Sequence, residues 1–357
     1  MRGRARSAVA VATMVVLATG SSSVAFADDL SPKEIYERAA PATVRIIGTT
    51  ASGTGFIYDA GKGLIVTNAH VVLDEPSLRV GVEDRAPVAA RVLGIDPCED
   101  VAVLAFSNQQ PDLKALKFAD SKKVAFADNV TALGYPESIE AQGAQKPVFT
   151  TGAVQNPDVK DSAPNPDLPR YAETIQHSAT INPGNSGGPL LNGKAEVVGI
   201  NTLTLTGEGV QGQYYAISSD HVQPLLDQLA AGDVKNDPGW QLVSVQDPDL
   251  ADYFLPEDAA KVAATQKQFK DQDAMVVTYA RTNSPAAKAQ LEPGDVITGM
   301  KDTPVASYAD VCDVLQSAAP GETVPVTGVY SPITANGTDM KAGAAWTTDL
   351  VVDKGSK

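Results

Sequence analysis

Histidine, cysteine and aromatic residues are all scarce in this 357-residue chain, which has three His, two Cys, and 6% Phe, Trp and Tyr together. So few His and Cys cannot supply the paired spacings of a zinc site, and neither a metal nor another cofactor is expected. Two Cys also make no disulfide framework, and Cys98 and Cys312 read first as small buried hydrophobes. Basic residues are outnumbered, 28 Lys+Arg against 43 Asp+Glu, giving a formal charge of −15. That balance repels a phosphate backbone and argues against nucleic acid as a partner. Past the amino terminus no apolar run approaches the ~20 residues that span a bilayer.

What is present begins with a leader. Arg2, Arg4 and Arg6 precede an apolar stretch over 8–18, small residues follow, and Ala25-Phe26-Ala27 offers a cleavage site. This layout predicts a signal peptide over 1–27, cut after Ala27, and a secreted protein, extracellular or in the cell envelope. Removing the three arginines and no acid takes the charge from −15 to −18. The length predicts two domains. Residues 31–40 read as a helix, with Ser31 as N-cap, Pro32 in the first position and Glu34 in the third. Short β-branched runs broken by Gly, Pro, Asn and Asp then fill the chain to about 218, the pattern of an antiparallel barrel or sandwich. A helix over 219–231 closes this unit, capped by Ser219 or Asp220 and stopped by Gly232. The boundaries that follow are 28–232 for a first domain, 233–239 for a polar linker and 240–357 for a second domain.

The chemistry lies in three segments of the first domain. In the run 181–190, INPGNSGGPL, Ser186 is flanked by glycines that let the backbone turn sharply. Such a turn can aim the N–H groups of Gly184 and Ser186 at one point, an oxyanion hole for a carbonyl attacked by the hydroxyl. A serine needs a base. His70 stands at the end of a β-rich run, and Asp100, directly before the apolar run 101–104, is pulled inward to orient it. Asp96, before a proline, and Glu99 are the competing acids. The chain order His70, Asp100, Ser186 is that of double β-barrel serine proteases.

Several segments, GTGF from Gly53, VTNAHVV from Val66, DVAVL from Asp100, INPGNSGGPL from Ile181 and GINT from Gly199, together resemble the HtrA (Deg) family of serine proteases. The stretch 283–297, NSPAAKAQLEPGDVI, is similar to the core of a bacterial PDZ domain. The resemblance implies a mainly β fold, a chymotrypsin-like double β-barrel followed by a PDZ-like α+β domain. It further implies an ATP-independent endopeptidase acting on unfolded or damaged exported polypeptides, with His70 as general base, Asp100 as its orienter and Ser186 as nucleophile. Relatives of this kind often trimerise through residues before the barrel. Only 28–41 are available for that here, so homo-oligomerisation stays open.

The departures from the family pattern shape further expectations. Thr180 occupies the place, six residues before the nucleophile, where enzymes with a basic preference carry an acid. With Ile181 and Asn201 it predicts a small neutral pocket and cleavage after small aliphatic residues. His177 reads as a surface or hydrogen-bonded loop residue, with a place lining the site as the alternative, and His221 as a residue that caps or opens the helix over 219–231. Residues 156–170, rich in Pro and Asp, read as a mobile loop. In the second domain, Trp240, Gln241 and Leu242 are candidates to capture a peptide's terminal carboxylate. The competing reading is a non-catalytic, PDZ-bearing peptide-binding adaptor or chaperone.

Overall fold

The computed structural model describes residues 29–137, 146–163, 165–207, 210–335 and 340–352, without the side chains of 203–207 and 210–211. The leader expected over 1–27 lies outside the described residues. Helix α1 (Pro32–Ala39) starts as its sequence dictates, with Ser31 and Glu34 forming a reciprocal capping box and Ile35 and Ala39 buried. Six strands follow: β1 (Thr43–Ile47), β2 (Ser52–Asp59), β3 (Leu64–Thr67), β4 (Leu78–Val82), β5 (Val88–Asp96) and β6 (Val101–Phe106). They close into a barrel in the order β1-β2-β3-β6-β5-β4. β3 and β6 are buried along their whole lengths, which explains their unbroken apolar runs.

A second barrel is built from β7 (Asn129–Gly134), β8 (Val148–Ser162), β9 (Tyr171–His177), β10 (Pro189–Leu191), β11 (Val197–Gly207) and β12 (Val210–Ser218). Here the reading of 156–170 as one loop needs correction. β8 runs on to Ser162 and pairs with β9 through two register shifts, so the Pro-containing stretch is accommodated as a bulged hairpin. Helix α2 (Ser219–Ala231) ends at Gly232 in the left-handed conformation and packs Val222, Leu226 and Leu229 onto the barrels. Its N-cap is Ser218, one residue ahead of the expected pair.

The segment 233–239 is pinned to the first barrel. Val234 bridges Ile95, and the Lys235 N–H donates to the Ile95 carbonyl at 2.9 Å. Beyond it the chain forms β13 (Trp240–Ser244), α3 (Ala259–Gln268), β14 (Met275–Ala280), α4 (Pro285–Lys288), β15 (Val296–Met300), β16 (Thr303–Pro304), α5 (Tyr308–Ser317), β17 (Thr323–Val329) and β18 (Ala345–Val351). The sheet order is β13-β14-β15-β17-β18, with β16 beside β15, so β13 is an edge strand. Cys98 and Cys312 are joined as a disulfide, not left as free hydrophobes as their small number suggested. They lie 214 residues apart in sequence, and the barrel end that bears Cys98 packs into the core around Trp240 and α5. Among the described residues no helix is long and apolar enough to cross a membrane, and no cluster of His, Cys, Asp and Glu could hold a metal.

Candidate active site

β3 delivers His70. Its last residue, Thr67, donates its hydroxyl to the Thr54 carbonyl on β2 at 2.7 Å, and Asn68 beyond it donates Nδ2–H to the Asp100 carbonyl at 2.9 Å. A single 3₁₀ turn, Ala69–Val71, buries Ala69 and Val71 and leaves the His70 side chain 41% exposed. Asp100 comes from the other neighbour of the same strand pair, immediately before β6, in a left-handed backbone conformation (φ 52°) that Asp tolerates. Its carboxylate, 2% exposed, accepts from the His70 backbone N–H at 3.1 Å and lies 2.9 and 3.1 Å from Nδ1.

Two further donors reach this carboxylate from the second barrel: the Thr202 hydroxyl at 2.7 Å and the Tyr171 phenol at 3.1 Å. The sequence argument missed both, because β9 and β11 meet Asp100 only once the barrels are assembled. Burial opposes ionisation of Asp100, yet the neighbouring His70 and these hydrogen bonds hold its carboxyl below the usual range. Burial likewise disfavours charge on His70, but the Asp100 charge and hydrogen bond prevail and raise the imidazole above its ordinary value. Because a carboxylate only accepts, Nδ1 carries the proton in the neutral ring, and the Nε2 lone pair is left to act as a base.

Ser186 lies on a turn made by its glycines. Gly184 (φ 92°) and Gly187 (φ 85°) are both left-handed, and a Cβ on either would overlap a backbone carbonyl oxygen, that of Tyr135 or of Thr54. Thr54 on β2 clamps this turn: its N–H donates to the Ser186 carbonyl (2.9 Å) and its hydroxyl to the Gly184 carbonyl (2.7 Å). The N–H groups of Asn185, Gly187 and Gly188 are spent on Asn182, Asn201 and Asn185 carbonyls. Those of Gly184 and Ser186 meet no acceptor among the described residues. The Ser186 hydroxyl donates its proton to the Thr202 carbonyl at 3.0 Å, so transfer to His70 requires a rotation about χ1.

The other expected site residues are dispersed. Thr180 is exposed, its carbonyl bonded by the Thr150 hydroxyl at 2.7 Å, whereas Ile181 is buried. Asn201 is fully buried: its Nδ2 donates to the Pro189 carbonyl at 3.1 Å and its Oδ1 has no partner. His177 is not on the surface. It is fully buried beside Asn201, Ala179 and the Tyr214 ring, and burial holds its pKa down to about 4. His221 pairs with Glu99 at 2.6 Å, and Asp96 is buried accepting from Cys98 and Asn236. Trp240, Gln241 and Leu242 lie on β13 and line the same cavity as His70.

Residues 53–200 match a trypsin-like peptidase domain and residues 258–329 a PDZ domain. A probable periplasmic serine endoprotease, DegP-like, of Pseudomonas putida is 33% identical over 310 residues, covering 85% of this chain and 58% of the relative. The serine protease Do-like HtrA of Bacillus subtilis is 30% identical over 294 residues, covering 82% and 62%. The chain thus spans about three fifths of the length of these relatives. Among solved structures, the HtrA-type protease AlgW with a tripeptide superposes with a TM-score of 0.51 at 23% identity, covering 90% of this chain and 97% of that one, a likeness of fold.

Proposed function

Because this chain belongs to the HtrA family of serine proteases with a PDZ domain, we propose that it is a serine endopeptidase acting on exported polypeptides. The observation that carries the reading is the buried Asp100 carboxylate, held by donors from both barrels and bonded to Nδ1 of a half-exposed His70. Nothing in a peptide-binding module calls for that arrangement. In the reaction His70 Nε2 takes the Ser186 proton as Oγ attacks the scissile carbonyl, and Asp100 stabilises the imidazolium. The Gly184 and Ser186 N–H groups receive the oxyanion. His70 then protonates the leaving amine, and water repeats the cycle on the acyl-enzyme.

The substrates in this reading are unfolded or damaged proteins outside the cytoplasm, cleaved after small aliphatic residues that fit a pocket around Thr180, Ile181 and Asn201. Export through the leader ending at Ala27 would bring the enzyme to the cell envelope or beyond, in line with the periplasmic relatives. Trp240, Gln241 and Leu242 would receive a C-terminal peptide at the PDZ domain. A second reading, a peptide-binding adaptor, draws on the Ser186 proton being donated to Thr202. Casein hydrolysis by the mature protein and by Ser186→Ala separates the two. The endopeptidase reading expects a loss of about a million-fold in kcat, and equal activity of the two proteins would overturn it.

A further inference from the structure

The two barrels alone do not make the cleft beside the His70 ring. A cavity of about 210 Å³ opens there, with His70, Leu73 and Pro97 on one side. Across it stand Trp240 and Leu242 of β13 and Tyr308, the first residue of α5. Most of the lining is apolar, and the polar groups on it are the His70 imidazole, the Asp100 and Asp167 carboxylates, Gln241 and the phenols of Tyr253 and Tyr308. The Trp240 ring is a buried part of this wall, 2% exposed. β13 is also an edge strand, with the Ser244 N–H donating to the Asp167 carboxylate and the Gln241 carbonyl accepting from the Thr278 hydroxyl.

This far wall is fastened in place. The Cys98–Cys312 disulfide ties α5 to the loop that carries Asp100. Arg281 donates to Asp74 at 2.9 Å, four residues past His70, and to Asp237 at 2.7 Å. The Tyr308 N–H donates to the Pro166 carbonyl at 2.7 Å, and Gln316 to Glu99 at 3.0 Å. A wall held by a covalent bond and by a half-exposed arginine on two buried carboxylates is a fixed part of the cleft.

We infer that the PDZ domain supplies one side of a substrate subsite next to His70, which takes an apolar side chain of an extended polypeptide. The residue it receives is not the one whose carbonyl Ser186 attacks, because the cavity flanks the base and not the nucleophile. Specificity at this position is therefore set jointly by Leu73 and Pro97 from one domain and Trp240 and Leu242 from the other. The inference rests on the endopeptidase reading, extends it to a second substrate position, and gives the Trp240–Leu242 wall to the polypeptide being cleaved in place of a separate C-terminal peptide.

The test is a peptide-library cleavage profile of the mature protein beside Gln241→Glu and Leu242→Ala. Gln241 lines the cavity from β13 and is half-buried, so its isosteric replacement introduces a charge without enlarging or emptying the core. The expected result is an apolar preference at one position outside P1. In Gln241→Glu basic residues gain there by about fivefold or more relative to acidic ones, and in Leu242→Ala bulkier residues gain. Cleavage by the parent with no change in either variant at any position outside P1 overturns the subsite and leaves the endopeptidase reading standing. No cleavage by the parent, or cleavage that survives Ser186→Ala, overturns both.

Discussion

Four donors converge on the Asp100 carboxylate: the backbone and Nδ1 of His70, the Thr202 hydroxyl and the Tyr171 phenol. The phenol touches neither substrate nor His70, so Tyr171 acts through Asp100 as a positioning residue. Tyr171→Phe removes one donor from a buried charge, a loss of about 1.5–3 kcal/mol for a hydrogen bond to an ionised group. A fall in kcat of about tenfold or more is expected. With less support of its own, the carboxylate leans harder on the imidazolium and raises its pKa. The low-pH limb of kcat/KM, which in the parent lies above the ordinary imidazole value, should therefore move up further in the variant. A purely structural role would lower the amount of active enzyme and leave the limb where it was.

At the scale of elements, β2 acts as a clamp between the barrels. Its Thr54 accepts the Tyr135 N–H at 2.8 Å while donating to the Gly184 carbonyl, so one hydroxyl joins the turn that bears Ser186 to the end of β7. Thr54→Val leaves both groups buried without a partner, at about 1–3 kcal/mol each. Activity should fall more steeply than thermal stability, because the turn that aims the Gly184 N–H loses its anchor; equal losses would argue against the clamp. The disulfide is the other inter-element tie. Closing a loop of 214 residues restricts the unfolded chain, by about 5 kcal/mol in the chain-entropy model. The unfolded but unreduced protein should take up no iodoacetamide, and Cys98→Ser/Cys312→Ser should unfold at lower temperature.

For the whole molecule, pH dependence follows from buried carboxylates. Burial raises Asp74, Asp96, Asp167 and Asp295 each to about 6. Between about pH 4 and 6 the unfolded chain has released these protons and the folded chain retains them, so stability declines as pH rises through that window. The raised imidazoles act in the same direction: what His70 and His221 contribute is complete below the ordinary imidazole pKa and is lost as pH rises through their folded values. His177, held down to about 4, opposes this between about pH 4 and 6.5 as one group against four, and Asp100 and Glu75, held low, oppose it only at more acid pH, where their contribution disappears as they protonate. A net charge of −15 also repels itself less as acids are neutralised. The melting temperature should peak near pH 4 and be higher at pH 5 than at pH 8 by about 5 °C or more. Calorimetry that finds it flat or rising over pH 5–8 would refute this.

The fold class was legible in the chain because its signals are local. Unbroken apolar runs such as 101–106 mark strands buried on both faces, Ser31 and Glu34 write their own cap, and the glycines around Ser186 specify a turn that other residues cannot adopt. The order His70, Asp100, Ser186 needed only the knowledge that a base requires a nucleophile and an orienting acid. What remained hidden depends on contacts between distant segments. Tyr171 and Thr202 look like ordinary strand residues until the second barrel brings them to Asp100. Cys98 and Cys312 carry no sign of each other across 214 residues. His177 offers no hint that it is sealed away from solvent. The sequence alone determined the elements and the reactive groups, since propensity, capping and turn chemistry act over a few residues. Only the tertiary structure decided which donors steady the acid and which domain walls the cleft, because burial and hydrogen-bond partnership are properties of the packed chain.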